Sequence, residues 1–227
     1  MIIELTGIPG AGKSTIIESL KNSSEAKEFI FDIQSYLLDR AFLPLKGKIG
    51  YELLLLTYIF LLKRRDWYLF KYVFSFVKNS GNSFFHKINI LRNTLKKLII
   101  YRYIKNSNKV FFIDEGVSHI PFNVFVDVRK NINNDELKVL LGLLPSIDSL
   151  LIVDASDDIL LERVIARGRE GHRRIDFDSK ENIQCFMQQS REVLEALKSH
   201  INGYIYQNID KDIDTKKIMN ELGLKNV

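Results

Sequence analysis

Gly7-Ile8-Pro9-Gly10-Ala11-Gly12-Lys13-Ser14 stands between an apolar run, Met1–Leu5, and a helical pattern, Lys13–Leu20. The octet fits G-x-x-x-x-G-K-[ST] at every fixed position. Strand, glycine-rich loop and helix in that order build a cradle for phosphate. Glycines let successive backbone N–H groups turn inward. The helix that starts there aims the positive end of its dipole at the same anion. Lys13 is expected to bridge the terminal phosphates of a nucleotide, and the Ser14 hydroxyl to ligate magnesium. Gly7, Pro9, Gly10, Ala11, Gly12, Lys13, Ser14 and Thr15 form the expected nucleotide-binding set.

Two further elements work outward from this loop. Val110-Phe111-Phe112-Ile113-Asp114-Glu115-Gly116 is an apolar strand ending in carboxylates. Beside a phosphate loop, the first of these, Asp114, is expected to hold magnesium, usually through water. Glu115 can act as a base, orient a substrate hydroxyl or pair with a nearby arginine. Leu150–Val153 is another buried strand, and Ser156 with the acids after it suits the first turn of a helix over Asp157–Ala166. Arg163 and Arg167 share a face of that helix. Gly168-Arg169-Glu170-Gly171-His172-Arg173-Arg174 follows. This basic, glycine-containing stretch reads as a mobile clamp for phosphate oxygens over residues 167–178.

Strand-like runs at Met1–Leu5, Phe29–Phe31, Val110–Ile113, Leu150–Val153 and Tyr204–Tyr206 alternate with helical patterns at Lys13–Leu20, Asp157–Ala166, Glu181–Ser199 and Thr215–Leu222. Continuous apolar strands alternating with helices predict an α/β fold with a parallel sheet covered on both faces. The stretch between the second and third strands is too long for one crossover and reads as helical at Tyr51–Arg65, Trp67–Lys78 and Phe84–Lys105. The expected organisation is one domain over 1–227 with a helical insertion at 40–108.

Composition narrows the class. The 227 residues are 46% apolar and 27% charged, with 12 Gly and 4 Pro. That excludes a disordered or collagen-like chain. A lone Cys185 and the scattered His86, His119, His172 and His200 offer no zinc spacing. The net charge of +5 is uneven, since residues 40–109 hold 15 Lys/Arg against Glu52 and Asp66 alone. The amino terminus lacks signal-peptide features, and Leu53–Leu62, the longest apolar run, is half of what a spanning helix needs. The expectation is a cytoplasmic protein without a transmembrane segment.

Gly7–Ser14, Asp114-Glu115-Gly116, Pro145 ahead of a strand, Glu162-Arg163-x-x-x-Arg167, and a last strand followed by Asn208-Ile209-Asp210 together resemble the phosphate-loop nucleoside and nucleotide kinases, especially thymidylate-kinase-like proteins. The resemblance covers residues 1–32 and 109–222. It implies a P-loop NTPase-type three-layer sandwich whose five-stranded parallel sheet has the phosphate-loop strand central. It implies ATP and Mg²⁺, a lid near 167–178, Arg163 flanking the adenine, Arg167 on the transferred phosphate, and Asn208 among the nucleotide-binding residues. Two departures stand out. Glu115 occupies the position where thymidylate kinases carry Arg, and the usual Glu-Pro-Gly after the second strand is missing.

Phosphoryl transfer depends on positioning and on cations facing the moving oxygens. Lys13, magnesium and lid arginines, Arg167 and Arg173 among them, would supply that charge. For a hydroxyl acceptor a carboxylate takes the proton; Asp32 is the first candidate and Glu115 the second. The expected partner is an anionic or hydroxyl-bearing small molecule such as a nucleotide, nucleoside or sugar. Alternatives are an ATP-hydrolysing regulatory protein without an acceptor and a kinase acting on a nucleic-acid end. A guanine-specific Asn-Lys-x-Asp is absent. Leu53–Leu62 and Trp67–Val77 are nearly apolar all round, which predicts burial in the chain or in a homodimer. Their basic flanks leave a membrane surface open as a third reading.

Overall fold

β1 (Ile2–Thr6) is buried at all five positions. Successive side chains of a strand point to opposite faces, so such a strand is covered on both sides. This is a computed structural model, and it describes residues 1–23, 28–39, 55–81, 83–127, 129–168, 180–201, 203–207 and 213–224. β2 (Phe111–Asp114) pairs in parallel on one side of β1, with Leu5 opposite Asp114. β3 (Ser149–Asp154) pairs in parallel on the other, with Leu5 opposite Leu151. β4 (Gly203–Gln207) extends the sheet beyond β3, giving the order β2-β1-β3-β4 with the phosphate-loop strand inside.

Five strands were expected, and among the described residues four form. Phe29–Phe31 contributes a single parallel bridge, Ile30 opposite Phe111, on the outer edge of β2. The Ile30 amide donates to the Val110 carbonyl at 2.9 Å, and the Phe112 amide donates to the Ile30 carbonyl at 3.0 Å. Asp32 stops the ladder there. Its carboxylate accepts from the Ser35 amide at 3.0 Å and the Ser35 hydroxyl at 2.8 Å, which turns the chain into α2 (Ile33–Asp39).

α1 (Lys13–Asn22) leaves the phosphate loop. The insertion supplies α3 (Arg64–Lys78) and α4 (Phe84–Ile104), which pack on each other. Ile90, Thr94, Leu98 and Tyr101 make the buried stripe of α4. The helix expected over Tyr51–Arg65 is not continuous: a helical turn at 55–57 gives way to a 3₁₀ turn, Ile59–Leu61. The break lets Lys63 cap α3, its amide donating to Asp66 Oδ2 at 2.7 Å. Residues 40–54 of the predicted insertion lie outside the described residues.

Two helices escaped the sequence reading. α5 (Ile120–Phe125) follows a 3₁₀ turn at Val117–His119. α6 (Asn134–Leu143) is capped by Asn133, whose side chain accepts from the Asp135 and Glu136 amides. α7 (Asp157–Gly168), α8 (Lys180–His200) and α9 (Thr215–Glu221) complete the helices. Leu69, Val73 and Leu98 of the insertion belong to the same buried cluster as the strands. Within the single chain the apolar runs are only partly covered. Phe60 is 74% exposed, and Trp67, Tyr68 and Phe74 are exposed as well.

Candidate active site

The phosphate loop begins where β1 ends, and its first glycine is dictated by β3. Gly7 has φ 154°, and a Cβ there would lie 2.1 Å from the Val153 carbonyl oxygen. The loop closes with an Ala11 amide donating to the Ile8 carbonyl at 3.1 Å. Lys13 is buried, and its ammonium donates back to the Gly7 carbonyl at 3.0 Å. Ser14 and Thr15 stand exposed on the first turn of α1, and Pro9 is half-buried. From α7, Arg163 Nη1 donates to the Gly10 carbonyl at 3.2 Å, tying that helix to the loop. The start of α7 is itself held from α8. Arg191 Nη1 donates to both oxygens of buried Asp154, at 2.7 and 2.8 Å, and its Nη2 donates to Asp157.

The parallel register sets Asp114 and Glu115 beside the loop. Glu115 Oε1 lies 3.6 Å from Lys13 Nζ, and Oε2 lies 3.5 Å from His119 Nε2. Glu115 adopts φ 54°, a left-handed conformation unusual for a residue with a side chain. Its amide donates to the Leu5 carbonyl at 3.2 Å. Glu4 shapes the next step of the chain. Fully buried in the middle of β1, its carboxylate accepts from the Val117 amide at 3.0 Å and the Ser118 amide at 2.8 Å. A Cβ at position 116 would lie 2.3 Å from the Glu4 carboxyl carbon, so a larger residue there would have to push that carboxylate off its two amides. Burial pushes the Glu4 carboxyl up, against these two amides and Lys97.

A cavity of about 310 Å³ opens from this corner. Asp114, Glu115, Asn93, Lys97, Asn123 and Ile33 are among its walls. Its size lies at the lower end of the range for small-molecule sites. Burial draws the Lys97 ammonium down to about 8, opposed by the Glu115, Glu4 and Asp114 carboxylates and reinforced by Lys13. Asp114 is exposed as a residue, yet its carboxyl is crowded. Lost hydration and then the Glu115 charge push it up, against Lys13, Lys97 and Lys21.

The donors present suit magnesium in their chemistry. The Ser14 hydroxyl, on the first turn of α1, and the Asp114 carboxylate, at the end of β2, are hard oxygen ligands, as this cation prefers. Among the described residues no cluster of three or more His, Cys, Asp or Glu side chains forms a ready metal cage.

The predicted residues therefore divide. Gly7 through Thr15, Asp114, Glu115 and Arg163 come together. Asp32 caps α2 with both its oxygens, the Ser35 hydrogen bonds hold its carboxyl below the usual range, and its neighbour Ile33 lines the cavity. Arg167 lies on α7, and its side chain is outside the description. Arg169, Arg173, Arg174 and Asn208 lie outside the described residues, as does the rest of the predicted lid beyond Gly168. Sequence reading missed Lys97, Asn93, Asn123 and Glu4. Only Glu4 left a signal, a carboxylate in the middle of an otherwise apolar strand.

The sequence matches no protein-family model and no curated protein. Solved structures do resemble it. Deoxyadenosine kinase from M. mycoides, with the products dCMP and a flexible dCDP bound, superposes with a TM-score of 0.51 at 18% identity, covering 98% of this chain and 99% of that one. The same kinase with dCTP bound gives 0.47 at 16% identity, covering 98% and 99%. With dATP bound it gives 0.47 at 16%, covering 98% and 100%. The first of these likenesses shows that the parallel α/β fold built around the phosphate loop is shared with that kinase along nearly the whole length of both chains.

Proposed function

We propose that this chain is an ATP-dependent phosphotransferase whose acceptor is a hydroxyl of a nucleoside-sized molecule seated in the cavity beside Glu115. One observation carries the reading: Glu115 reaches to 3.6 Å from the phosphate-loop lysine while also lining the cavity. One carboxylate thus faces both the donor cradle and an acceptor-sized space.

ATP, when bound, supplies the phosphoryl group. The loop amides and Lys13 hold its phosphates, and Ser14 and Asp114 supply oxygen ligands for Mg²⁺. Arg163 adds positive charge at the loop, and Arg167, Arg173 and Asn208 remain proposed nucleotide contacts. Glu115 accepts the acceptor hydroxyl's proton as the new bond forms. Lys13 and His119 beside it hold that carboxylate in place. Asn93 and Asn123 offer amide donors and acceptors for polar groups of the acceptor.

Three points support a nucleoside over a nucleotide acceptor. Glu115 replaces the arginine of thymidylate kinases, so a carboxylate stands where an acceptor phosphate would need a cation. The cavity is small. The similar solved kinase is named for a deoxynucleoside. The same cavity disfavours a hydrolysing protein without an acceptor.

The test is ADP release with Mg-ATP across panels of nucleosides, nucleoside monophosphates and sugars. The expected outcome is turnover that requires a nucleoside. Steady turnover without any acceptor, or turnover confined to monophosphates, would overturn the assignment.

A further inference from the structure

Glu115 leaves a charge to be balanced. Thymidylate kinases carry Arg at this position; here a carboxylate stands there, 3.6 Å from the Lys13 ammonium. Transfer onto a hydroxyl held by Glu115 moves anionic phosphoryl oxygens towards that carboxylate, with Asp114 and Glu4 lining the same cavity. Such a step calls for a cation on the acceptor side as well as Lys13 on the donor side. Among the described residues that line the cavity, two are cations, Lys96 and Lys97, both on α4. Lys97 is the one whose charge reaches Glu4 and Asp114. The charges that act most on its ammonium are Glu115, Glu4 and Asp114, then Lys13. It therefore belongs to one cluster with the donor cradle and with the carboxylate beside it. The helix fixes where that ammonium sits. Thr94, Leu98 and Tyr101 are buried along one stripe of α4, and the Tyr101 hydroxyl donates to the Ser146 carbonyl. Asn93, Lys97 and Ile100, on the adjoining face, line the cavity. Among the described residues the Lys97 ammonium makes no hydrogen bond and no close ion pair, so its donors are left for a group that enters the cavity.

We propose that Lys97 is a catalytic residue: it supplies from the insertion the cation that the end of β2 lacks, donating to an oxygen of the phosphoryl group as that group passes to the acceptor. The inference rests on the phosphotransfer reading. The acceptor oxygen bonds to the γ-phosphorus while the bond from that phosphorus to the ADP oxygen breaks and leaves its electron pair there. Glu115 takes the hydroxyl proton. Lys97 keeps its own protons and donates a hydrogen bond, which strengthens as charge gathers on the moving oxygens. Sharing a cluster with Lys13 favours the phosphoryl oxygens, which Lys13 also holds, over a phosphate on the acceptor.

The test compares two neutral variants, Lys97→Met and Lys97→Gln, with Lys97→Arg and the parent, as full chains whose circular dichroism shows them folded. With Mg-ATP and the nucleoside that the parent phosphorylates, the neutral variants are expected to lose about 10²–10³ in kcat. The KM for each substrate should stay nearly unchanged, and Lys97→Arg should recover most of the loss. Calorimetry gives a readout without turnover. Fluoroaluminate mimics the moving phosphoryl group and tightens the binding of Mg-ADP with nucleoside; this gain should shrink by the same factor in the neutral variants. A kcat that both neutral variants keep would overturn the proposal. So would a loss confined to the KM for the nucleoside or for ATP, or a folded Lys97→Arg variant as slow as Lys97→Met. A parent with no nucleoside-dependent turnover would instead overturn the phosphotransfer reading, and this inference with it.

Discussion

Glu115 concentrates the chemistry in one residue. Its left-handed backbone costs about 1–2 kcal/mol, and the Leu5 carbonyl and the Glu4–Gly116 contact hold it there. In this conformation the carboxylate lies 3.6 Å from the Lys13 ammonium. Glu115→Gln is expected to lower kcat by about 10²–10⁴ while leaving the KM for ATP nearly unchanged; steady-state kinetics with the active acceptor separates the two constants. An equal fall in ATP affinity would make Glu115 part of the donor cradle instead. Asp114 has a different task. Asp114→Asn should raise the magnesium concentration needed for half-maximal rate by severalfold, since a neutral amide is a poorer ligand for a hard cation. An unchanged magnesium titration would remove Asp114 from the metal site. The loop motif made Lys13 and Ser14 legible at this scale. Asp32 was legible as a carboxylate after a short extended run; that both its oxygens cap α2 needed the structure.

At the scale of elements, the insertion is joined by an ion pair that its own composition conceals. Residues 53–113 contain one acid, Asp66, among twelve Lys and Arg. It caps α3 at Lys63 and holds Arg102 of α4 with paired hydrogen bonds. Such a buried pair adds little over a good apolar contact, but breaking one side strands a charge. Asp66→Asn is expected to destabilise the protein by about 3 kcal/mol, read from urea denaturation. Asp66→Asn with Arg102→Leu should cost less than Asp66→Asn alone. Additive losses would show that the two residues act separately. The predicted helix Tyr51–Arg65 failed at the same place. Apolar periodicity continued through Leu62, but the hydrogen bond from the Lys63 amide to Asp66 made the chain start a new helix.

At the scale of the molecule, Lys97 measures how the insertion closes over the sheet. It approaches Glu4, Asp114 and Glu115 because α4 packs on the 3₁₀ turn Val117–His119 that follows β2, and burial lowers its ammonium to about 8. Between about pH 8 and its ordinary value of 10.5 the folded chain has released this proton while the unfolded chain keeps it. Stability in that window therefore rises with pH through this group. Against Lys97→Met, the parent is expected to gain about 1–3 kcal/mol from pH 7 to pH 10, the range allowing for partial solvent access. Urea midpoints of both proteins at the two pH values check this, and parallel shifts would show that Lys97 is freely hydrated. The sequence by itself determined the phosphate loop, the parallel α/β alternation and the carboxylate pair ending β2. Each is a local pattern: a backbone turn that needs glycine, a run of apolar residues, or charges at the end of a strand. Tertiary structure alone decided that Phe29–Phe31 stops at one bridge, that Glu4 and Gly116 lock Glu115, and that Lys97, Asn93 and Asn123 wall the cavity. It also decided that Trp67, Tyr68 and Phe74 face outward. These depend on contacts between residues far apart in the chain, where apolar content predicts burial but cannot say which helix face finds a partner.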